Sequence, residues 1–229
     1  MALRECVASL LNSTCGRLGG RFRGRRLHRL IIQPVHEWLQ DRSFGIETRL
    51  VADVTDVDRA QCPDAKDSVP TVYSVLGHVL RSIRPDDVFV DLGCGSGRVV
   101  CYVAGKMRLK KVIGVELMPK MVECAKQNVA NAKLLTPVDI VQGNAANANL
   151  GEGTAYYLYN PFGEETLRQV LANIHRSLAA SPRTVRVLYY NPIFEEVLDA
   201  CDWLTAEQTI KPRFSRSIKP FLRIWRSTV

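Results

Sequence analysis

Val88-Phe89-Val90-Asp91-Leu92 runs directly into Gly93-Cys94-Gly95-Ser96-Gly97-Arg98, and no other stretch constrains the fold as much. The short apolar run reads as a buried strand. The alternating glycines let the backbone turn sharply and approach a ligand with no Cβ in the way. A helix opening at Arg98 would then present its first N–H groups to polar atoms held in the turn.

From residue 86 onward the pattern alternates strand and helix. Strands are expected at Val88–Leu92, Lys111–Glu116, Val138–Gln142, Ala155–Tyr159 and Val185–Tyr190. Helices are expected at Arg98–Met107, Lys120–Ala132 behind a first-turn Pro119, Glu164–Leu178 and Ile193–Cys201. Such alternation with short connections predicts an α/β, doubly wound, mostly parallel sheet covered on both faces. Two further strands near Thr205–Lys211 and Phe221–Ser227 have no helix between them, which predicts a C-terminal antiparallel hairpin and seven strands in all. Upstream, Val72, Val75, Leu76, Val79, Leu80 and Ile83 mark a helix at 3.6 periodicity. Leu30–Leu39 is a shorter helical candidate, interrupted by Pro34, and an acidic, turn-rich stretch leads from it to Pro70. The expected organisation is a basic extension at 1–29, a helical and loop segment at 30–69, and a ligand-binding domain at 70–229.

The 229 residues carry a formal charge of +8, unevenly spread. Residues 1–40 and 206–229 each hold +5, and the middle is near neutral at −2. Basic ends suit an electrostatic contact with nucleic acid, an acidic membrane surface or an acidic protein face, and a solvated tail is the plain alternative. The Arg-rich, Ser- and Thr-containing start has the composition of a mitochondrial transit peptide, although Glu5 and the glycines depart from it. A cytoplasmic location is expected, with a mitochondrial one as the alternative. No apolar run approaches the ~18 residues of a spanning helix, and no signal peptide is expected. Seven scattered cysteines without a C-x-x-C pair point to reduced thiols in an intracellular protein. Four histidines without H-x-x-x-H spacing argue against a zinc site, so no metal is expected.

The rivals of the glycine turn are recognisable by spacing. A dinucleotide fingerprint needs glycine where Arg98 stands, and no Gly-Lys-Ser/Thr follows for a phosphate loop. Asp91-Leu92-Gly93-Cys94-Gly95-Ser96-Gly97 instead resembles the first motif of class I S-adenosylmethionine (SAM) methyltransferases. Glu116 ends the second strand, where that family places its ribose-binding acid. Leu117 and Met118 follow, where apolar side chains pack on adenine. Gly143-Asn144-Ala145 follows the third strand, where the family often has Gly-Asp-Ala. An amide at Asn144 retains a carbonyl acceptor for the adenine amino group. The resemblance implies SAM as cofactor, held by Asp91, Gly93, Gly95, Gly97, Glu116, Leu117, Met118, Asn144, Ala145 and Asn160.

Tyr157-Leu158-Tyr159-Asn160-Pro161-Phe162-Gly163 ends the fourth strand, and ligands of open α/β sheets sit at the carboxyl ends of strands near the switch point. Asn160-Pro161-Phe162 loosely resembles the Asn-Pro-Pro-Tyr/Phe motif of amino-group methyltransferases, with one proline missing. It also partly matches non-SET protein-lysine methyltransferases of the seven-strand class, which share a proline-containing segment like Val69-Pro70-Thr71-Val72-Tyr73. Those resemblances imply Asn160, Pro161, Phe162 and Tyr73 at the reaction site. Phe162 with Tyr73 or Tyr159 would form an aromatic wall for a charged amine. No His or Asp stands out as a general base. Tyr189-Tyr190-Asn191-Pro192 reads first as a strand end followed by a helix-starting proline, with a place in the lining of the acceptor pocket as the other reading.

The leading expectation is methyl transfer to a nitrogen of a protein substrate, a lysine-type amine. RNA or DNA base N-methylation is the nearest alternative, favoured by the basic ends. A non-catalytic SAM-fold adaptor is the alternative of another class, and the intact glycine turn and Glu116 argue against it. A dehydrogenase is disfavoured by Arg98.

Overall fold

A computed structural model describes residues 32–211 and 222–228. The Arg-rich segment 1–29 and the basic residues Arg213, Arg216 and Lys219 lie outside the described residues. The chain divides into two compact units, 1–39 and 40–229. The second holds the sheet, and it includes residues 40–69 as well as the segment from 70 onward.

Every residue of β1 (Val88–Leu92) is buried, as expected of a central strand covered on both faces. β2 (Lys111–Glu116) and β4 (Ala155–Leu158) flank it in parallel. β3 (Val138–Gln142) and β5 (Arg186–Tyr190) extend the parallel sheet on either side. β6 (Leu204–Ile210) and β7 (Leu222–Ser227) close it as an antiparallel pair. The order β3-β2-β1-β4-β5-β7-β6 is the expected seven-strand, doubly wound arrangement. It puts the reversal of strand order between β1 and β4, where a crevice opens at the carboxyl ends. β6 is an exposed edge, and a bulge between Ala206 and Gln208 interrupts its pairing register.

The period-two alternation of the strands divides the core into two layers. Val90, Leu92, Tyr156, Leu158 and Val187 face α6 (Glu164–Ala180), whose Leu167, Val170, Leu171 and Ile174 cover them. Phe89, Val112, Ala155, Tyr157 and Leu188 face the other way, against α3 (Tyr73–Arg81) and α4 (Arg98–Lys106). α5 (Pro119–Asn131) starts on its proline, whose missing N–H is no loss in a first turn.

Three elements differ from the sequence reading. α1 (Gln33–Phe44) is not interrupted by Pro34, because the proline is its second residue and lies in the first turn. The helix expected at Ile193–Cys201 is shortened to α7 (Glu195–Asp199), whose preceding residue Phe194 has non-helical angles of φ −120° and ψ 42°. The turn-rich stretch contains a helix, α2 (Asp56–Gln61), closed by a capping box in which Thr55 and Asp58 bond each other's backbone N–H.

Candidate functional site

β1 ends in a turn whose glycines all have positive φ: +79° at Gly93, +54° at Gly95 and +86° at Gly97. Two of them are also demanded by close approach. A Cβ on Gly93 would fall 2.2 Å from the Pro161 Cβ, and one on Gly95 would fall 2.8 Å from the Ser68 hydroxyl. The turn therefore packs against the end of β4 on one side and against residue 68 on the other. A crevice of about 870 Å³, counting its open mouth, lies beside it.

Most of the expected residues line this crevice. Asp91, Gly93 and Gly95 come from the β1 end, Glu116, Leu117 and Met118 from the β2 end, and Asn144 and Ala145 from the β3 end. Pro161, Phe162 and Tyr159 reach it from the β4 end. Gly97 does not line it; it is the residue preceding α4 and serves the turn.

Glu116 is 5% exposed and held at both oxygens. Oε2 accepts from the Gly95 N–H at 2.8 Å and Oε1 from the Met118 N–H at 2.9 Å. Burial raises its pKa against the lowering effect of these bonds. Asp91 is more isolated. Its Oδ2 is fully buried without a hydrogen-bond partner, and burial, then the nearby Glu116 charge, pushes its pKa well above the usual carboxylate range. A buried acceptor of this kind costs about 1–3 kcal/mol unless something donates to it. Burial, reinforced by Asp91 and Glu116, likewise raises the Cys94 thiol well above its ordinary value.

Tyr73 and Asn160 are placed elsewhere than the sequence reading put them. Tyr73 is buried away from the crevice lining, and its hydroxyl donates to Asp41 Oδ1 at 2.7 Å. The same Asp41 meets Arg98 at 3.2 Å and accepts from Thr48, so the tyrosine belongs to a buried polar cluster behind the glycine turn. Asn160 is absent from the lining as well. Its Oδ1 accepts from the Tyr189 hydroxyl at 2.6 Å, and its Nδ2 donates to the Asn191 carbonyl at 2.9 Å. The Pro161 carbonyl accepts from the Lys66 N–H at 2.9 Å.

Sequence reasoning missed the strap that borders the crevice. Val54, Cys62 and residues 65–71 line it. The strap is tied down by long-range bonds: Asn144 Nδ2 to the Gln61 carbonyl at 2.8 Å, and Asp64 to the backbone N–H of Thr166 at 3.1 Å. Asp64 thereby satisfies a free N–H in the first turn of α6. Only its end, Val69-Pro70-Thr71, carried a signal, through the proline-containing segment noted above.

Residues 89–181 match the family model described as a methyltransferase domain. A protein-lysine N-methyltransferase of Saccharolobus islandicus is 30% identical over 93 residues, 40% of this chain and 58% of that protein. A probable cobalt-precorrin-6B C(15)-methyltransferase of Methanobrevibacter smithii is 33% identical over 81 residues, 34% of this chain and 42% of that one. The matches thus span less than two thirds of these relatives. Among solved structures, a precorrin-8W decarboxylase of Methanobacterium thermoautotrophicum superimposes with a TM-score of 0.50 at 20% identity, covering 77% of this chain and 100% of that one. This last likeness concerns the fold.

Proposed function

We propose that this chain, a class I SAM-dependent methyltransferase by its domain and fold, transfers the methyl group to a lysine-type amine of a protein. SAM is the cofactor of this class, and the crevice residues suit it. The orphaned Asp91 Oδ2 fits the cofactor's α-ammonium group, which would supply the missing donor and a compensating charge. Gly93 and Gly95 line the crevice, and their missing Cβ atoms let Pro161 and Ser68 pack close against the turn that borders it. Glu116 has further lone pairs for ribose hydroxyls, and Leu117, Met118 and Ala145 offer apolar surface for adenine. Asn144 Oδ1 accepts from the Ala146 N–H and Nδ2 donates to the Gln61 carbonyl, so an adenine amino group would donate to the second lone pair of Oδ1.

When bound, SAM supplies an activated sulfonium methyl. The protein's task is then alignment, which for well-oriented reactants is worth roughly 7–11 kcal/mol. Phe162, buried beside the crevice, and Tyr159 would form the apolar wall along which an amine approaches. The amine must be neutral when it attacks, and its proton leaves to water in this reading.

One observation carries the choice of acceptor. Recognition of a nucleobase amino group by Asn160 and Pro161 would use the Asn160 Oδ1 and the Pro161 carbonyl as acceptors. Each already accepts one hydrogen bond, from the Tyr189 hydroxyl and the Lys66 N–H, and Asn160 does not line the crevice. The aromatic wall is left as the recognition surface, and it suits an alkyl ammonium. The likeness to a protein-lysine N-methyltransferase supports the same reading.

The test is transfer from methyl-tritiated SAM to a protein extract, to the same extract with its lysines blocked by reductive methylation, and to total RNA. Label in the untreated extract, recovered as methyl-lysine and lost on blocking, is the expected result. Label in RNA but not in protein would replace the reading with nucleic-acid methylation.

A further inference from the structure

The same tripeptide closes two neighbouring strands. Tyr159-Asn160-Pro161 follows β4, and Tyr190-Asn191-Pro192 closes β5. The strands are parallel with Leu158 opposite Tyr189, so the two tripeptides leave the sheet side by side. Among the described residues Asn160 and Asn191 are the non-glycine positions with positive φ, at 46° and 50°. Asn tolerates this region better than most residues, yet such conformations carry a cost and cluster at functional sites. Here they have a visible consequence. The tyrosines before them meet ring to ring, with centroids 4.4 Å apart and planes inclined at 47°. The Asn160 amide ties the two turns together through the Asn191 carbonyl, and the Tyr189 hydroxyl fixes that amide's orientation.

Tyr159 lines the crevice, and Tyr190, half-buried, continues the same aromatic surface along the sheet's carboxyl edge. Sheet order gives this surface a direction. Glu116 and Asn144 stand at the ends of β2 and β3, on one side of β1, while the tyrosine pair stands at the ends of β4 and β5, on the other. A cofactor bound toward β2 and β3 leaves the β4–β5 side for the acceptor. The rings already touch, so they form a wall and not a slot into which a flat base could slide.

We propose that Tyr190, acting as one aromatic wall with Tyr159, is a specificity-determining residue for the acceptor amine. It would hold the aliphatic stem and the charged head of a lysine side chain before the amine loses its proton. This rests on the lysine reading above. A ring face over an ammonium is the relevant attraction, and the hydroxyl is not required for it.

The experiment measures the half-saturating concentration of extract protein for methyl-lysine formation, and separately the SAM affinity by calorimetry. The proteins compared are the wild type, Tyr190→Leu, Tyr190→Gln and Tyr190→Phe. Leu and Gln are expected to raise the half-saturating concentration about three- to tenfold with SAM affinity unchanged, and Phe to restore it to within about twofold. SAM affinity also reports whether each variant is folded. A wild type that forms methyl-lysine, with Leu and Gln variants that saturate as it does, overturns the Tyr190 assignment alone. A Phe variant as impaired as Leu overturns it too, because the hydroxyl would then be the recognising group. A wild type that labels RNA, or nothing, overturns the lysine reading and this assignment with it.

Discussion

Glu116→Gln separates a cofactor-binding carboxylate from a merely structural one. In the present geometry the two oxygens accept from Gly95 and Met118 N–H groups at 2.8 and 2.9 Å. The amide has the same shape but only one oxygen. One backbone bond survives, and at the other position an NH₂ group faces an N–H group, donor to donor. Losing a hydrogen bond to a charged group is worth about 1.5–3 kcal/mol. Part of that is offset in the free protein, because a neutral amide is easier to bury than a carboxylate. The free protein is therefore expected to lose about 1 kcal/mol, some 2–4 °C of Tm in a domain of this size. Binding suffers more. The ribose hydroxyls lose a charged acceptor, and at 1.4 kcal/mol per tenfold the affinity falls about 10- to 100-fold. Titration calorimetry with SAM and with S-adenosylhomocysteine measures this, alongside a thermal melt of each protein. A melt shift of the expected size with SAM affinity within twofold of wild type would refute the assignment. Glu116 would then be a brace for the glycine turn and nothing else.

Other substitutions probe the frame around the site. Asp41→Ala removes the carboxylate that meets Arg98 and accepts from Thr48 and Tyr73; breaking a buried pair costs about 3–5 kcal/mol, so a calorimetric Tm drop of about 10 °C is expected and one under 3 °C would contradict it. Gly93→Ala forces a Cβ into Pro161 at a φ of +79° and should weaken SAM binding at least about tenfold, with partial recovery in the Gly93→Ala, Pro161→Gly double variant. Asp64→Asn weakens the tie between the strap and the first turn of α6; faster amide exchange over residues 62–70 is expected, with the sheet unaffected.

What the sequence made legible was local. The strands were readable because a central parallel strand is apolar along its length, and the glycine turn because three left-handed residues require a particular spelling. Asp91, Glu116 and the β3-end residues were expected from the resemblance to class I methyltransferases, and all of them line one crevice. The strap was not legible, since its ties join residues far apart in the chain, Asp64 with Thr166 and Gln61 with Asn144. No periodicity reports such a contact. α2 was legible in principle, because Thr55 and Asp58 spell a capping box, but the acidic surroundings resembled a turn. Tyr73 shows a different limit. Its place at the start of α3 was foreseeable, whereas the direction of its side chain depends on Asp41, 32 residues earlier. Arg98 misled less: its bulk excluded the dinucleotide fingerprint, and the structure supplies the reason for a cation there in Asp41, Thr48 and the Thr71 carbonyl.

The pair of buried acids ties cofactor binding to pH. Burial raises the pKa of both Asp91 and Glu116, and Glu116 raises that of Asp91 further. A carboxylate with a raised folded-state pKa binds its proton more tightly in the folded protein than in the unfolded chain. Its contribution to stability is therefore largest at acid pH and declines as pH climbs from the ordinary value of 3.8 for Asp91 through the raised one. The cofactor has the opposite preference. An α-ammonium group donating to Asp91 favours the carboxylate, so binding should expel up to one proton wherever Asp91 starts protonated. SAM affinity should then rise with pH up to the raised pKa and level off above it, while the free protein becomes less stable over the same window. Calorimetry at one pH in two buffers of different ionisation enthalpy reads the released proton directly as a difference in heat. Asp91→Asn, which cannot ionise, should reduce that difference and weaken binding about tenfold or more by removing the charged acceptor. Equal heats in both buffers at every pH below neutrality would show that Asp91 is already ionised before the ligand arrives. The orphaned oxygen would then have to be satisfied by water in the free protein, and the case for Asp91 as the ammonium's partner would lose its electrostatic basis.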